Sequence, residues 1–183
     1  MKSLRAVLAA CALAAAMPLQ AHAQTYAMDR GSLVLGGQVS FTSYGPGDEG
    51  AWSELILTPS VHYFVVPGLS IGAFGALRRV DPPAGDAITG QYGGGAQVSY
   101  YLGGPGRAWY PYVSGAAGVH RHRTAGRTTV EYSAAGGMVL MLSRAVGLNG
   151  QLYYSMGRGE SDDGARMDTE SFGFAVGVSA FVF

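Results

Sequence analysis

From Ser32 to Thr42 the chain alternates. Leu33, Leu35, Gly37, Val39 and Phe41 fall on one face of an extended strand, and Ser32, Val34, Gly36, Gln38, Ser40 and Thr42 on the other. A period of two with unlike faces is the mark of a β-strand that divides two environments. The pattern returns over residues 52–65, 69–78, 91–102, 109–120, 130–142, 146–156 and 170–183, which makes eight predicted strands with residues 32–42. Each has about the nine to eleven residues, or slightly more, that a tilted strand needs to cross a bilayer. An even number returns both ends of the chain to the same side.

The connections alternate as well. Val66-Pro67-Gly68, Gly103-Gly104-Pro105-Gly106-Arg107 and Ser143-Arg144-Ala145 are tight turns, while residues 43–51, 79–90, 121–129 and 157–169 are longer and polar. Short turns on one side and long loops on the other are expected of a barrel in an outer membrane. The last segment stays apolar to Phe183. Such a strand needs lipid on one face and a first strand to pair with, which closure of a barrel supplies. Pro59 interrupts the second strand and removes a ladder donor, so a bulge or local gap is expected there.

Composition adds a route to the membrane. Lys2 and Arg5 precede an apolar run over residues 6–19, and Ala21-His22-Ala23 ends it in a cleavage pattern. Residues 1–23 read as a cleaved signal peptide and 24–183 as one barrel domain, with cleavage near Ala23. Leu8-Ala9-Ala10-Cys11 has the outline of a lipoprotein box, but the apolar run before it is too short. Cys11, the single cysteine, leaves with the signal, and with it go disulfides, thiolate metal sites and cysteine nucleophiles. Ten basic residues then face twelve acids, a balance with no general attraction for nucleic acid. No later run is long and apolar enough for a membrane helix. Aromatic residues gather at strand ends: Tyr63, Tyr100, Trp109 and Phe183 beside the short turns, Phe41, Trp52, Tyr92, Tyr132 and Phe172 toward the long loops. These are two expected headgroup girdles.

Together these features resemble the small outer-membrane β-barrels of the OmpA/OmpX type. Two local runs carry the likeness, Tyr63-Phe64-Val65-Val66-Pro67-Gly68-Leu69-Ser70-Ile71-Gly72 and Pro111-Tyr112-Val113-Ser114-Gly115-Ala116-Ala117-Gly118. The resemblance implies an all-β, eight-stranded antiparallel up-and-down transmembrane β-barrel in the outer membrane of a Gram-negative bacterium. It also implies a monomer with a structural or surface-interaction role, in contact with outer-membrane lipid and lipopolysaccharide. Phe181 and Phe183 match the terminal signal by which that family is recognised by the barrel assembly machinery. The phase changes just before them, because Phe172, Phe174, Val176 and Val178 lie on the opposite parity. A bulge near Ala180 is therefore expected, placing both sets on the lipid face.

A barrel of eight strands is just wide enough for inward side chains to fill it. The expected inward set is small and polar: Ser40, Thr58, Ser60, Gln97, Ser99, Ser114, Ser133, Asn149, Gln151 and Ser155. Five ionisable groups join it: Glu54, Arg78, His120, Glu131 and His62. Inside a bore these must pair or meet water. The hairpins bring Glu54 toward Arg78 and Glu131 toward His120, and the expected role is a structural polar plug rather than a gate.

Arg121, Arg123 and Arg127 form the one cationic run, suited to lipopolysaccharide phosphates or another anion. Hydrolysis or acyl transfer on lipid would need a Ser/His/acid set at the rim. His62, His120 and His122 survive export, but no His-x-Ser pattern accompanies them. His120-x-His122 alone does not make a metal site. No catalytic residue, cofactor or metal ligand is therefore assigned. Gly93-Gly94-Gly95 lies within a strand and is read as relief of crowding or a bend, not a phosphate loop. Three rival readings remain: a narrow channel for small or apolar solutes, a lipid-modifying enzyme, and a soluble lipocalin-like calyx. The calyx would turn Leu33, Leu35 and Val39 inward.

Overall fold

The computed structural model describes residues 27–44, 52–81, 89–122, 128–160 and 166–183. The alternating segments form β1 (Leu33–Tyr44), β2 (Trp52–Val66), β3 (Leu69–Asp81), β4 (Thr89–Tyr101), β5 (Trp109–His122), β6 (Thr128–Met141), β7 (Val146–Glu160) and β8 (Arg166–Val182). Each strand pairs with the next, and β8 pairs with β1, so the sheet is a closed antiparallel barrel. The strands extend past the expected ends toward the long loops. The β7–β8 ladder, for example, runs unbroken from Val146↔Ala180 to Glu160↔Arg166. Polar residues there still find a backbone partner across the hairpin, so loss of apolar alternation does not end the pairing. The predicted signal peptide lies outside the described residues.

Side-chain parity sorts the barrel into two surfaces. Leu35 and Val39 are 49% and 42% exposed on the outer wall, while Val34 and Ser40 are buried in the bore. That orientation contradicts a calyx. Among the described residues, exposed large hydrophobic side chains outnumber buried hydrophobic ones, the inverse of a soluble domain. Tyr63, Tyr100, Trp109 and Phe183 are exposed near the short turns, and Phe41, Tyr92, Tyr132 and Phe172 toward the long loops.

Two local expectations meet different outcomes. At Pro59 the β1–β2 ladder continues through Gly37↔Pro59. The β2–β3 pairing passes directly from Leu57↔Leu77 to Ser60↔Phe74, leaving a gap without a change of register. The register shift in this hairpin lies instead between Phe64 and Val66, beside the Pro67-Gly68 turn. In that turn Gly68 has φ 79°, a conformation costly to other residues.

The expected bulge at Ala180 is absent. Ala180 pairs with both Leu35 and Val146 in continuous ladders, and alternation holds through Ser179 inward, Ala180 outward, Phe181 inward and Val182 outward. Phe181 is thus only 3% exposed in the bore, not on the lipid face. Phe183 follows the end of β8 and is 58% exposed. Unbroken pairing on both sides leaves an inserted residue nothing to gain, and the bore at this level accepts an aromatic ring.

The register also gives several of the chain's 29 glycines a role. Large inward side chains lie over glycines of other strands: His62 over Gly72, Phe74 over Gly118, Tyr112 over Gly137 and Tyr153 over Gly173. At Gly93 a Cβ would lie 2.6 Å from His120 Nδ1, and at Gly137 it would lie 2.8 Å from Tyr112 Cζ. The glycines are sockets that let large groups lie flat inside a narrow bore. The run Gly93-Gly94-Gly95 is therefore relief of crowding.

Gly136 and Gly137 provide a matched test. A Cβ at the outward Gly136 meets nothing within 4 Å, whereas one at Gly137 meets Gly150 O, Gln151 and Tyr112. Gly137→Ala is expected to lose about 1–3 kcal/mol in reversible urea unfolding from lipid vesicles, and Gly136→Ala to stay within about 0.5 kcal/mol of the parent.

Candidate functional site

The bore is built in storeys. Its short-turn end is closed by an apolar floor of Val34, Phe64, Tyr110, Tyr112, Val139, Met141 and Phe181, with Tyr101 packed against it. Phe64, Tyr101 and Tyr112 form a run of rings with centroids 5.4 and 5.2 Å apart. The segment before β1 completes the floor. Met28 is fully buried in the same cluster, its carbonyl accepts a hydrogen bond from Gly68 N at 2.9 Å, and Gly31 N donates to Phe64 O at 2.9 Å.

Above the floor, polar groups link walls that are not neighbours. Tyr112 Oη donates to Gln151 Oε1 at 2.8 Å, and Gln151 Nε2 donates to Gln38 Oε1 at 2.7 Å, joining β5, β7 and β1. Between the adjacent strands β7 and β8, Asn149 Nδ2 donates to Ser179 Oγ at 2.8 Å. His62 is 6% exposed and lines a cavity of about 30 Å³ with Thr58, Ser60, Asn149 and Ser179, space for little more than a water molecule.

The next storey is a cavity of about 120 Å³ whose wall includes Arg78, Gln97, His120, Glu131, Tyr153 and Ser155. Arg78 Nε is paired with Glu54 Oε1, their side chains 28% and 8% exposed. His120 Nε2 lies 3.7 Å from Glu131 Oε2. Arg78, His120 and Glu131 face one space, so the two pairs form a single charged layer near the long-loop end. The hairpins β2–β3 and β5–β6 make this layer by the register Ile56↔Arg78 and Gly118↔Glu131, which sets each acid a short diagonal from its base.

The structure thus brings four of the five interior ionisable residues together and leaves His62 apart, nearer the floor. The small polar residues expected inward, from Ser40 to Ser155, all take inward positions. Arg121 is exposed on the outer wall at the end of β5. Arg123 and Arg127 lie outside the described residues. Among the described residues no group of three or more His, Cys, Asp or Glu could hold a metal ion. His120 and Ser133 line the bore cavity, turned away from the lipid that a rim enzyme must reach.

The apolar floor was missed by sequence reasoning, although its signal was present. Val34, Phe64, Tyr112, Val139, Met141 and Phe181 share inward parity and all lie near the short turns.

Comparison with solved structures places this geometry. The chain superposes on Neisserial surface protein A with a TM-score of 0.60 and 14% identity, over 81% of this chain and 96% of that one. On the N-terminal β-barrel domain of Pseudomonas aeruginosa OprF the TM-score is 0.56 with 11% identity, over 84% and 98% of the two chains. The fold is that of a small outer-membrane β-barrel. No protein-family model and no curated protein matches the sequence. The shared feature is the closed barrel of eight strands.

Removing one partner from the buried pair should cost more than removing both. Arg78→Met is expected to lower stability by about 2–4 kcal/mol by stranding Glu54, and the double variant Arg78→Met/Glu54→Met to recover at least half of that in the same urea assay.

Proposed function

We propose that this protein is a non-enzymatic barrel of the Gram-negative outer membrane, with a plugged bore and a structural or surface-interaction role. The observation that carries this reading is the inversion of the molecule. The outer wall is an apolar belt between aromatic residues, and the bore ends on the fully buried Met28 and Phe64. A solute entering from the long-loop side reaches the charged layer and then an apolar floor. The layer of Glu54, Arg78, His120 and Glu131 acts as a polar plug that fixes the positions of β2, β3, β5 and β6. Outside, lipopolysaccharide is the natural ligand for Arg121, Arg123 and Arg127.

The chain reaches the membrane, on this reading, by export with cleavage near Ala23 and insertion by the barrel assembly machinery. Phe183 is the exposed element of the terminal signal. Phe181 serves packing, because it is part of the floor.

In planar bilayers the refolded protein is expected to give no stable single-channel steps. On unheated denaturing gels it should migrate differently from the boiled sample. Steady conductance would replace the plug with the narrow-channel reading. Unchanged mobility together with a soluble periplasmic fraction would remove the membrane barrel altogether. Deleting Phe183 is expected to lower membrane assembly in cells while leaving refolding into detergent intact. Phe181→Ala should impair both, by about 3–5 kcal/mol in stability.

A further inference from the structure

The outer wall is not uniform at its long-loop end. Between β2, β3 and β4 it is indented by a groove of about 320 Å³ lined by Leu55, Leu57, Leu77, Arg79, Gly90 and Tyr92. The register explains the hollow. Arg79 lies between Leu55 on one side and Gly90 on the other, and Gly90 offers no side chain to fill the wall beside Tyr92. Tyr92 in turn pairs with Arg121 on β5. Two outward, exposed arginines therefore flank Gly90 and Tyr92, Arg79 in the wall of the groove and Arg121 beside it at the level of Tyr92. They stand two strands apart, about 10 Å at ordinary strand spacing.

Height fits a headgroup. Arg79 is ten positions past Leu69 along β3. At the usual rise and tilt this is about 23 Å above the short turns, close to the top of an apolar band of about 25 Å. Tyr92, one step lower and 50% exposed, belongs to the aromatic level.

We propose that this groove is a binding site for a phosphorylated, multiply acylated lipid of the outer leaflet. Arg79 and Arg121 take the phosphates, and one acyl chain lies over Leu55, Leu57 and Leu77. An arginine fork matches phosphate oxygens, and its strength rises where lipid excludes water. A chain laid in the groove buries apolar surface of both partners without displacing any side chain. The site deepens the lipopolysaccharide contact of the preceding reading and rests on the protein being a membrane barrel. It differs in lying on the wall of the barrel rather than in a loop.

The test uses the full mature chain refolded in neutral detergent and titrated with diphosphoryl lipid A, with bound lipid counted by native mass spectrometry. Dephosphorylated lipid A and inorganic phosphate are run alongside. Gly90→Phe fills the groove, since a Cβ at Gly90 meets nothing within 4 Å. Arg79→Gln/Arg121→Gln removes the charges, and Arg158→Gln is the control on the far wall. The parent should retain diphosphoryl lipid A over both comparison ligands. Both site variants should lower its apparent affinity about tenfold, and the control should not. Equal loss in the control, unchanged binding in either site variant, or equal retention of dephosphorylated lipid would overturn the proposal. Each variant is first checked for heat-shifted mobility. A parent that fails this check sinks the membrane-barrel reading itself, whereas a parent that passes it but shows no localised binding sinks this site alone.

Discussion

The constraint on which the rest of the structure depends is that backbone amides facing lipid have no water to bond. In a sheet they must find partners on neighbouring strands, and a sheet with two free edges leaves rows of them unsatisfied. Pairing of β8 with β1, from Leu33↔Val182 to Ser40↔Ala175, removes both edges. Closure then fixes the interior, because eight tilted strands enclose a bore only as wide as their own side chains. Parity, plug and floor all follow from that narrowness.

Within the bore, two kinds of filling divide the length. Near the short turns the filling is apolar and aromatic, and Met28 from outside the sheet completes it. Toward the long loops it is polar and charged, with hydrogen bonds that span from β5 through β7 to β1. The apolar part resists water, and the polar part ties non-adjacent walls together so that the barrel is not merely a rolled sheet. Glycine makes both arrangements affordable by giving each large inward group a flat place to lie.

Much of this was legible in the sequence, and the failures are instructive. Alternation located all eight strands and assigned Ser40, Gln97, Gln151 and the ion-paired residues to the bore, because burial of polar groups away from lipid has no alternative in a barrel. It failed where an apolar residue could serve either surface. Phe181 was expected against lipid because it shares the parity of Phe183 and matches the same terminal signal, yet it packs into the floor. That single misplacement produced the expected bulge at Ala180. Met28 was invisible for another reason: it precedes the first strand, where periodicity carries no information. The lipid-facing groove was missed because Gly90 looked like part of a loop, while the ladder reaches it at Arg79↔Gly90.

Alternation alone also leaves a degeneracy that the glycine sockets remove. Sliding one strand past its neighbour by a single residue turns its apolar side chains into the bore, which lipid forbids. Sliding by two restores every side chain to its proper face and costs little by that criterion. It would, however, carry His62 away from Gly72, Tyr112 away from Gly137 and Tyr153 away from Gly173, setting rings against residues that have a Cβ. The pairings therefore act as a combination lock on the shear of the barrel, choosing one circumference and one tilt from a series that the lipid itself would accept.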